Sequence, residues 1–421
     1  MSELRRLARI LATVALASVR LSIRMLGWRL RGRPASDAVG RTLRELLVEL
    51  GPSFLKIGQI LSTRRDVLPP SVVEQLEQLQ DRVPPQPLSE AMPAIRAGLD
   101  RRVGEVFEAI EETPVAGASI ASVYRARLFD GRRVAIKVRR PGIEARMAAD
   151  LRLIQRGASL LEKLPGMQAM PMRSLVDGVG EAIADQLDFR REARMCRRLG
   201  ERLGSNRVHV PVVVEELSSE SVLTMEFLEE TQTDQTGDLK DAVENALGLL
   251  YTMIFVEGLV HCDLHPGNLF LLENGEVALL DFGFVVELSE GAREDFARFF
   301  HAMAENDGAE CARIAIETAT FRSSRFDEAS FTVAVIELVE EFSRATATDF
   351  SVAEFVVRLI DLQRRRGLRS TTEFTMAIVA LLVFEGTVKR FHPDLDFQAP
   401  ASPYILPTLL GSEHALVPGP M

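Results

Sequence analysis

The sequence predicts an α+β fold in which a small sheet in the middle of the chain is flanked by helical segments. Two hairpin signals predict the sheet, because Asp130-Gly131 and Asn274-Gly275 each separate two short strand-like runs. Apolar residues at spacings of three and four predict helix over residues 36–66, and helical pattern fills residues 290–392. A chain of 421 residues has room for two or three domains.

The remaining elements follow from turn residues and periodicity. Pro69-Pro70 ends the first helical stretch. Further helices are predicted at residues 71–80, 89–98, 102–110, 143–164, 174–203 and 238–257. Strands are predicted at residues 115–128, 132–139, 208–216, 221–227, 269–272 and 277–280. The pattern divides the chain into residues 1–34, 35–112, 113–228, 229–393 and an irregular, proline-containing tail at 394–421.

Composition excludes several classes of protein. With 47% apolar and 26% charged residues, the chain is expected to fold rather than to remain disordered. A net charge of −10 argues against a nucleic-acid partner for the chain as a whole. Cys196, Cys262 and Cys311 are far apart and odd in number, so they predict neither a disulfide framework nor a zinc site. A reducing, intracellular compartment is the simplest expectation.

Residues 1–34 form a basic front end, with eight arginines and one acidic residue, while the rest of the chain carries a net charge of −17. Helical geometry places Arg5, Arg6, Arg9, Arg20, Arg24 and Arg31 within an arc of about 100°, opposite most apolar residues. This pattern over residues 1–31 predicts an amphipathic helix on an anionic membrane surface. A helix docked on the protein's own body with solvated arginines, and a transit peptide, are the alternatives.

No membrane-spanning segment is expected, because the longest apolar runs, residues 10–19 and 374–384, fall short of the roughly 20 residues required. The first run also lacks a convincing small-residue cleavage site, which argues against a signal peptide.

The strongest chemical signal lies at residues 261–283. Asp263 and Asn268 precede the second predicted hairpin, and Asp281-Phe282-Gly283 follows it. This order and spacing are typical of the catalytic loop and metal-binding segment of protein kinases. Carboxylate and amide oxygens suit Mg²⁺, so Asn268 and Asp281 are predicted to hold the metal, while Asp263 would orient the attacking group. Two polar turns without function, or a transition-metal site built on His261 and His265, are the alternatives.

Lys137 ends the run Val134-Ala135-Ile136-Lys137, which is typical of the kinase strand whose lysine meets nucleotide phosphates. An edge or snorkelling lysine is the alternative. Glu192 is its predicted carboxylate partner, although a glutamate on a charged helix is often only solvated. The preceding loop contains Ala116, Gly117, Ala118, Ser119, Ala121 and Val123 and could pass near phosphates, but it lacks the usual triple-glycine pattern.

Together these features resemble the UbiB/AarF-type atypical kinases, a family tied to isoprenoid-quinone biosynthesis. Lys56-Ile57-Gly58-Gln59 is similar to the family's Lys-x-Gly-Gln motif, and Ser62, Arg65, Asp66, Leu68-Pro69 and Leu79-Gln80-Asp81 continue that pattern. The alanine-rich loop, the segment from Leu187 to Glu192, and a hinge at residues 223–227 match as well. The resemblance covers residues 40–290 or so.

The resemblance implies a bilobal protein-kinase-like fold with an N-terminal helical extension and a mostly helical C-lobe. Residues 35–112 would be the extension, 113–228 an N-lobe with a helical insertion, and 229–393 the C-lobe. In the family the Lys-x-Gly-Gln helices cover the active site, which implies ATP binding and hydrolysis or a small lipid-like substrate rather than protein phosphorylation. It implies ATP and Mg²⁺ as cofactors, with nucleotide contacts from Lys56, Gln59, Ala135 and Glu226 besides the loop and metal residues.

This chain departs from the family pattern in three places. Gln186 stands where the family has the glutamate of a Glu-x-Asp motif, so the usual carboxylate partner of Lys56 is missing. The loop continues Ala121-Ser122-Val123-Tyr124, where the family commonly has Gln and His. The C-terminal spanning helices of some relatives are also not found, so the basic helix is the expected membrane attachment.

The sequence therefore predicts an atypical kinase-like ATPase on the cytoplasmic face of the inner membrane that supports ubiquinone or other isoprenoid-lipid metabolism. An isoprenoid lipid or quinone precursor is a further expected partner, whereas protein partners are not specified. A nucleotide-binding scaffold without turnover and a small-molecule phosphotransferase are the alternatives. The intact set Lys137, Asp263, Asn268 and Asp281 argues against the scaffold, and the motif at Lys56 argues against the phosphotransferase.

Overall fold

The computed structural model describes residues 3–29, 35–64, 68–79, 86–99, 103–161, 172–203, 207–229, 238–343, 351–395 and 399–409. These residues form two compact units. Unit 1 comprises the described residues of Met1–Arg64, Leu68–Ala193 and Val213–Phe227. Unit 2 comprises those of Arg194–Val212 and Leu228–Met421. Predictions for Arg31, Arg65, Asp66, Gln80, Asp81 and the last residues of the tail lie outside the described residues.

Unit 1 begins with helices and continues into a sheet. Its helices are α1 (Glu3–Arg29), α2 (Ala35–Leu50), α3 (Pro52–Ser62), α4 (Pro70–Glu77), α5 (Leu88–Gly98), α6 (Val103–Val106), α7 (Ile143–Leu161), α8 (Met172–Leu187) and the first turns of α9 (Phe189–Leu203). Its strands are β1 (Phe107–Ile110), β2 (Ala116–Gly117), β3 (Ala121–Leu128), β4 (Arg133–Arg139) and β6 (Val222–Glu226). The strand β5 (Val208–His209) lies in unit 2.

The unit 1 sheet is antiparallel, in the order β1-β3-β4-β6, with β2 paired to β3. Because side chains alternate along a strand, β4 serves two hydrophobic clusters. Val134, Ile136 and Val138 join a cluster with α5. Ala135 belongs to the other cluster, which contains residues of α2, α3, α4, α7 and α8. The helical extension thus packs on the face of the sheet to which Ala135 and Lys137 point.

Unit 2 is mostly helical. Its helices are α10 (Lys240–Tyr251), α11 (Glu290–Ala304), α12 (Gly308–Glu317), α13 (Glu328–Ser343), α14 (Val352–Arg366), α15 (Thr372–Phe391) and α16 (Ser402–Leu409). A π-helical turn, Thr252–Glu257, extends α10. The strands are β7 (Leu259–His261), β8 (Leu269–Leu271), β9 (Val277–Leu279), β10 (Val285–Glu287), β11 (Ala319–Arg322) and β12 (Leu368–Ser370).

Both predicted hairpins are present. Gly131 and Gly275 adopt φ values of +87° and +79°, which glycine reaches without a Cβ penalty. They connect β3 to β4 and β8 to β9. The predicted order of helices, sheet and helices is confirmed, and so is the α+β fold class.

Several predicted boundaries are wrong. The helix predicted over 36–66 breaks at Gly51, with φ +100°, because Pro52 restricts the residue before it and starts α3 instead. Residues 107–110, predicted as helix, form β1 by pairing with β3. Only residues 208–209 of the strand predicted at 208–216 are extended in a ladder, since Pro211 has no N–H to donate. The helical run predicted at 290–392 contains β11 and β12, which pair with each other where Gly367 ends α14.

The apolar run within helix α1 was expected to be too short to span a membrane. By length and composition, that expectation is wrong. Its 20-residue segment Ala8–Gly27 contains an 18-residue window with a mean hydropathy of 1.6, and only 6% of that window is buried. The count of uninterrupted apolar residues missed it because the run ended at Arg20, whereas the segment continues past Arg20 and Arg24 to Gly27. Length and composition alone do not show that the helix crosses a membrane.

Candidate active site

Lys137 lies on the central strand β4, opposite Val123 on β3 and Leu223 on β6. The two neighbouring strands bury it to 7% exposure, so the alternative of an edge or snorkelling lysine does not hold. Its Nζ donates to Glu192 Oε1 at 2.7 Å and lies 5.5 Å from the centre of the Phe189 ring. A buried ammonium in such a place requires a partner, and the predicted one, Glu192, is in direct contact.

Glu192 is placed by the start of α9. Asp188 caps this helix, because its Oδ1 accepts from the Arg190 amide at 3.0 Å. The Phe189 amide donates to the Glu220 carbonyl, which ties the helix start to the segment before β6. Glu192 therefore points into the protein with 4% of its side chain exposed, and the alternative of a solvated glutamate does not hold.

The small-residue loop forms a tight hairpin between β2 and β3. Ala116 and Gly117 pair with Val123 and Ser122, and the Ala118 amide donates to the Ala121 carbonyl. Arg140, just after β4, donates through Nε to the Ala118 carbonyl at 2.9 Å. Ser119 is buried. One glycine is sufficient for this loop conformation, because strand pairing and the bond from Arg140 fix the backbone. The loop is thereby held beside the strand that carries Lys137.

Two further predicted nucleotide contacts lie in the same sheet. Ala135 is buried on β4, between Arg125 of β3 and Met225 of β6. Glu226 is exposed at the end of β6, in register with Val134. A small side chain at position 135 leaves room on that face of the sheet.

The Lys-x-Gly-Gln motif lies on α3, which packs against α2, α4, α7 and α8. A Cβ on Gly58 would stand 2.3 Å from Leu79 Cδ1, so the glycine permits close packing there. Gln59 donates through Nε2 to the Leu79 carbonyl at 3.3 Å, while its Oε1 is buried and has no hydrogen-bond partner in the part of the chain that the structure describes. Lys56 is half-buried on the same helix. The motif thus fixes the α3 contact with Leu79.

Gln186 does not replace the missing carboxylate. Its Oε1 is buried and has no hydrogen-bond partner among the described residues, and no bond joins it to Lys56. Asp188, the second acidic position of the family motif, is the cap of α9. Substitution at position 186 therefore removes an ion pair but leaves the helix start intact.

In unit 2, the catalytic-loop residues come together as the spacing predicts. Asn268 Nδ2 donates to the Asp263 carbonyl at 3.0 Å and lies 3.4 Å from Asp263 Oδ2. The Leu280 amide donates to the Asn268 carbonyl, which fixes the start of β8 against the end of β9. His265 holds the turn through its Nδ1, which accepts from the Gly267 amide. Asp263, about half-exposed, is thus held next to Asn268.

His261 braces this loop. Its Nδ1 accepts from the Asp263 amide at 3.2 Å and its Nε2 lies 3.1 Å from the Leu280 carbonyl, so the neutral Nε2–H tautomer satisfies both. Its ring meets Phe282 edge-on, with 5.7 Å between centroids. Burial lowers the pKa of His261, against the opposing charge of Asp263. Because both ring nitrogens bind backbone groups, His261 is not available as a ligand in the alternative transition-metal site.

Asp281 adopts a left-handed backbone conformation, with φ 55° and ψ 78°. Non-glycine residues rarely do so, and such conformations concentrate at functional sites. The side chain accepts from the Gly283 amide at 3.3 Å, which caps the short 3₁₀ turn Phe282–Phe284. Buried Phe282 anchors the turn.

The donor set of this loop fits a hard cation. Asn268 uses its Nδ2 on Asp263, which leaves Oδ1 as its ligand atom, and Asp281 supplies a carboxylate. The described residues contain no group of three or more His, Cys, Asp and Glu side chains that could hold a metal ion. One carboxylate and one amide oxygen match the way Mg²⁺ is bound together with phosphate oxygens.

Sequence reasoning missed two residues that build the site. Arg140 binds the loop carbonyl of Ala118, and Asp188 caps the helix that carries Glu192. An aspartate directly before the helical run that starts at Phe189 was a usable N-cap signal. The role of Arg140 depends on a hairpin geometry that no local pattern reveals.

Comparison with known proteins decides the family. The model of the ABC1 atypical kinase-like domain matches residues 78–315, more than half of the chain. The chain belongs to the ABC1 atypical kinase-like family. The recognition of UbiB/AarF-type motifs is thereby confirmed.

Several family members are similar over most of their length. The probable protein kinase UbiB of Pseudomonas putida is 32% identical over 405 residues, covering 93% of this chain and 74% of the relative. That of Marinobacter nauticus is 33% identical over 393 residues, covering 90% and 71%. The Mycobacterium tuberculosis protein Rv3197, solved in complex with erythromycin, aligns with a TM-score of 0.52 and 24% identity, covering 74% of this chain and 84% of that one. The last likeness supports the kinase-like fold alone.

Proposed function

We propose that this family member binds Mg-ATP and hydrolyses it in support of ubiquinone or other isoprenoid-lipid metabolism at a membrane surface. The observation that carries the proposal is the buried ion pair between Lys137 and Glu192, at 2.7 Å on the central strand of unit 1. Kinases use such a pair to hold the lysine for the nucleotide phosphates.

Unit 2 supplies the residues for the metal and the attacking group. Asn268 and Asp281 would hold Mg²⁺, which neutralises charge on the phosphate oxygens when bound. Asp263 would orient the attacking water through its carboxylate, which the contact with Asn268 positions. His261 holds the amide of Asp263 and the carbonyl of Leu280, so it keeps the two aspartate-bearing segments in register.

The Lys-x-Gly-Gln helix argues for hydrolysis or a small substrate rather than for transfer to proteins. Within unit 1, α3 shares a hydrophobic cluster with Ala121, Ala135 and Phe227, so the extension packs on the sheet face that bears the proposed nucleotide contacts. Lys56 and Gln59 belong to that helix and would lie near the nucleotide. A lipid-like client and an isoprenoid or quinone pathway are proposed from the family resemblance.

The test is Mg²⁺-dependent ADP formation by the purified full-length chain. We expect Asp281→Asn to lower the rate by about 100-fold or more, because it removes a metal ligand. Asp394→Asn is the matched control, since Asp394 is an exposed aspartate of unit 2 and the rate should not change. Removing Mg²⁺ with a chelator should abolish turnover of the unmodified chain.

Two results would overturn the proposal. Equal ADP formation by Asp281→Asn and the unmodified chain would assign the activity to a contaminant. Binding of nucleotide without ADP formation, with or without vesicles of phosphatidylcholine and cardiolipin, would favour a nucleotide-binding scaffold instead.

A further inference from the structure

Three arginines of α1 face acidic residues of unit 1, whereas Arg5 and Arg9 are exposed. Arg6 pairs with buried Asp150 on α7 through two bonds of 3.0 and 2.8 Å. Arg24 pairs with Glu45 on α2 at 2.9 and 2.8 Å. Arg20 pairs with Glu49. These three arginines lie on the side of the helix that the sequence pattern assigned either to a membrane or to water, and acidic residues of unit 1 pair with them instead.

The opposite side of α1 is apolar and uncovered. Six of its side chains are between 42% and 67% exposed: Leu11, Leu16, Val19, Ile23, Met25 and Leu26. At 100° per residue they cover about half of the helix circumference. We call them the α1 apolar face. A continuous aliphatic surface of this length is uncommon on soluble proteins and marks an interaction site.

The polar side chains beside this face are satisfied within the helix. Thr13 Oγ1 donates to the Arg9 carbonyl at 2.9 Å, Ser18 Oγ to the Val14 carbonyl at 2.9 Å, and Ser22 Oγ to the Ser18 carbonyl at 3.0 Å. Hydrocarbon offers no hydrogen bonds, so only a surface whose polar groups are paired internally enters it at low cost. A protein partner can itself supply hydrogen bonds to such groups.

The composition of the face also favours lipid over protein. Its six side chains are aliphatic or Met, whereas the residues that dominate protein interfaces are Trp, Tyr and Arg. The segment Ala8–Gly27 also has the hydropathy of a membrane segment and is only 6% buried. Because the arginines hold α2 and α7, the helix can offer this face while lying along a bilayer surface.

We propose that the α1 apolar face inserts into the acyl boundary of a membrane, and that Arg6, Arg20 and Arg24 bind unit 1 rather than anionic headgroups. This rests on the membrane location in the proposed function, but it changes the force involved. Attachment through arginines would require anionic lipid and weaken in salt. Attachment through the apolar face requires neither.

The test is flotation of the full-length chain with vesicles, without nucleotide. We expect neutral phosphatidylcholine vesicles to bind it as well as vesicles containing phosphatidylglycerol, with less than a twofold change between about 50 mM and about 500 mM salt. Val19→Gln combined with Ile23→Gln should weaken partitioning about 30-fold or more, because two inserted side chains are lost. Glutamine favours helix more than valine or isoleucine, so α1 is retained. Phe129→Gln is the matched control, since Phe129 is 63% exposed at the β3–β4 turn, away from α1.

A label gives a second readout. The three native cysteines are buried, so Ile23→Cys can carry a single environment-sensitive fluorophore, with Phe129→Cys as the control position. We expect blue-shifted emission with neutral vesicles only at position 23.

Binding restricted to anionic vesicles and lost in salt would contradict the proposal. So would a dimer without vesicles that the glutamine pair dissolves, since a second copy would then cover the face. Resistance to extraction at alkaline pH would show a spanning helix, and would also contradict it. Each result is read from flotation, oligomeric state or extraction in the absence of nucleotide, and is therefore independent of ADP formation.

Discussion

Single residues set the electrostatics of the candidate site. Lys137 and Glu192 are both buried and form one ion pair, so each makes the burial of the other tolerable. The proposed phosphate-binding role of Lys137 therefore depends on Glu192, which in turn depends on the cap that Asp188 gives α9. The position of Lys137 on β4 therefore depends on two residues at the start of α9.

Removing one member of the pair is expected to cost more than removing both. Lys137→Met alone leaves a buried carboxylate and should destabilise the protein by about 3–5 kcal/mol. Lys137→Met combined with Glu192→Gln leaves no buried charge and should recover part of that loss. Urea denaturation followed by circular dichroism measures both. If the double variant lost as much free energy of unfolding as the two single variants lose in sum, the two residues would not be coupled.

Substitution of Gln186 is expected to stabilise the protein rather than destabilise it. Its Oε1 is buried and finds no hydrogen-bond partner within the described ranges of the chain, and the family pattern has a glutamate there as the partner of Lys56. Gln186→Glu should raise the free energy of unfolding by about 1 kcal/mol through a charge-assisted bond. The gain should vanish in a chain that also carries Lys56→Met, as a double-mutant cycle would measure. The same effect in both backgrounds would refute the pairing.

At the scale of whole elements, helix packing explains why α3 of the helical extension contains a glycine. The helix α3 approaches Leu79 and Leu47 so closely that position 58 has no room for a methyl group. Glycine costs helix stability, so its presence in α3 reflects packing rather than propensity. The extension is thereby bound to the cluster that covers Ala135.

Gly58→Ala is expected to lower the free energy of unfolding by about 1–2 kcal/mol, because overpacking outweighs the gain in helix propensity. Gly157→Ala on α7 is the control. A Cβ there meets nothing within 4 Å, so this change should stabilise by up to about 1 kcal/mol. Thermal unfolding of the two variants side by side measures the difference. Stabilisation of both would contradict the close contact between α3 and Leu79.

At the scale of the whole molecule, the reactivity of the cysteine thiols reports how often the native structure opens. Cys262 and Cys311 are buried, and burial raises the pKa of both, that of Cys311 to about 12. Cys196 is buried as well and lies 3.2 Å from the Pro211 carbonyl. Only the thiolate reacts with disulfide reagents.

We therefore expect no rapid thiol reaction at pH 8 in the native protein and three equivalents after unfolding. Titration with a coloured disulfide reagent measures both. The native rate should follow the opening of the structure, and so increase with urea. Rapid reaction of one thiol in the native chain would contradict its burial.

The sequence alone predicted which residues of the catalytic loop come together, but it did not predict every element. Asp263, Asn268 and Asp281 could be recognised because their roles require fixed residue types at short spacings. Glu192 was found because the partner of Lys137 had to come from a helix and because the segment around Glu192 resembles the family pattern. The orientation of α1 could not be predicted, since a helical wheel separates two faces but does not reveal that Asp150, far along the chain, binds Arg6. β1, β11 and β12 were missed because short strands depend on distant partners.

The backbone at Asp281 also governs how an inactive protein should be made. At φ 55°, alanine would add strain of about 1–2 kcal/mol, so a loss of activity would mix a missing ligand with a distorted turn. Asparagine tolerates this conformation nearly as well as aspartate and can still accept from the Gly283 amide. Asp281→Asn thus removes the charge but retains the backbone conformation of the turn. It is therefore a better variant than alanine for crystallising a trapped nucleotide complex.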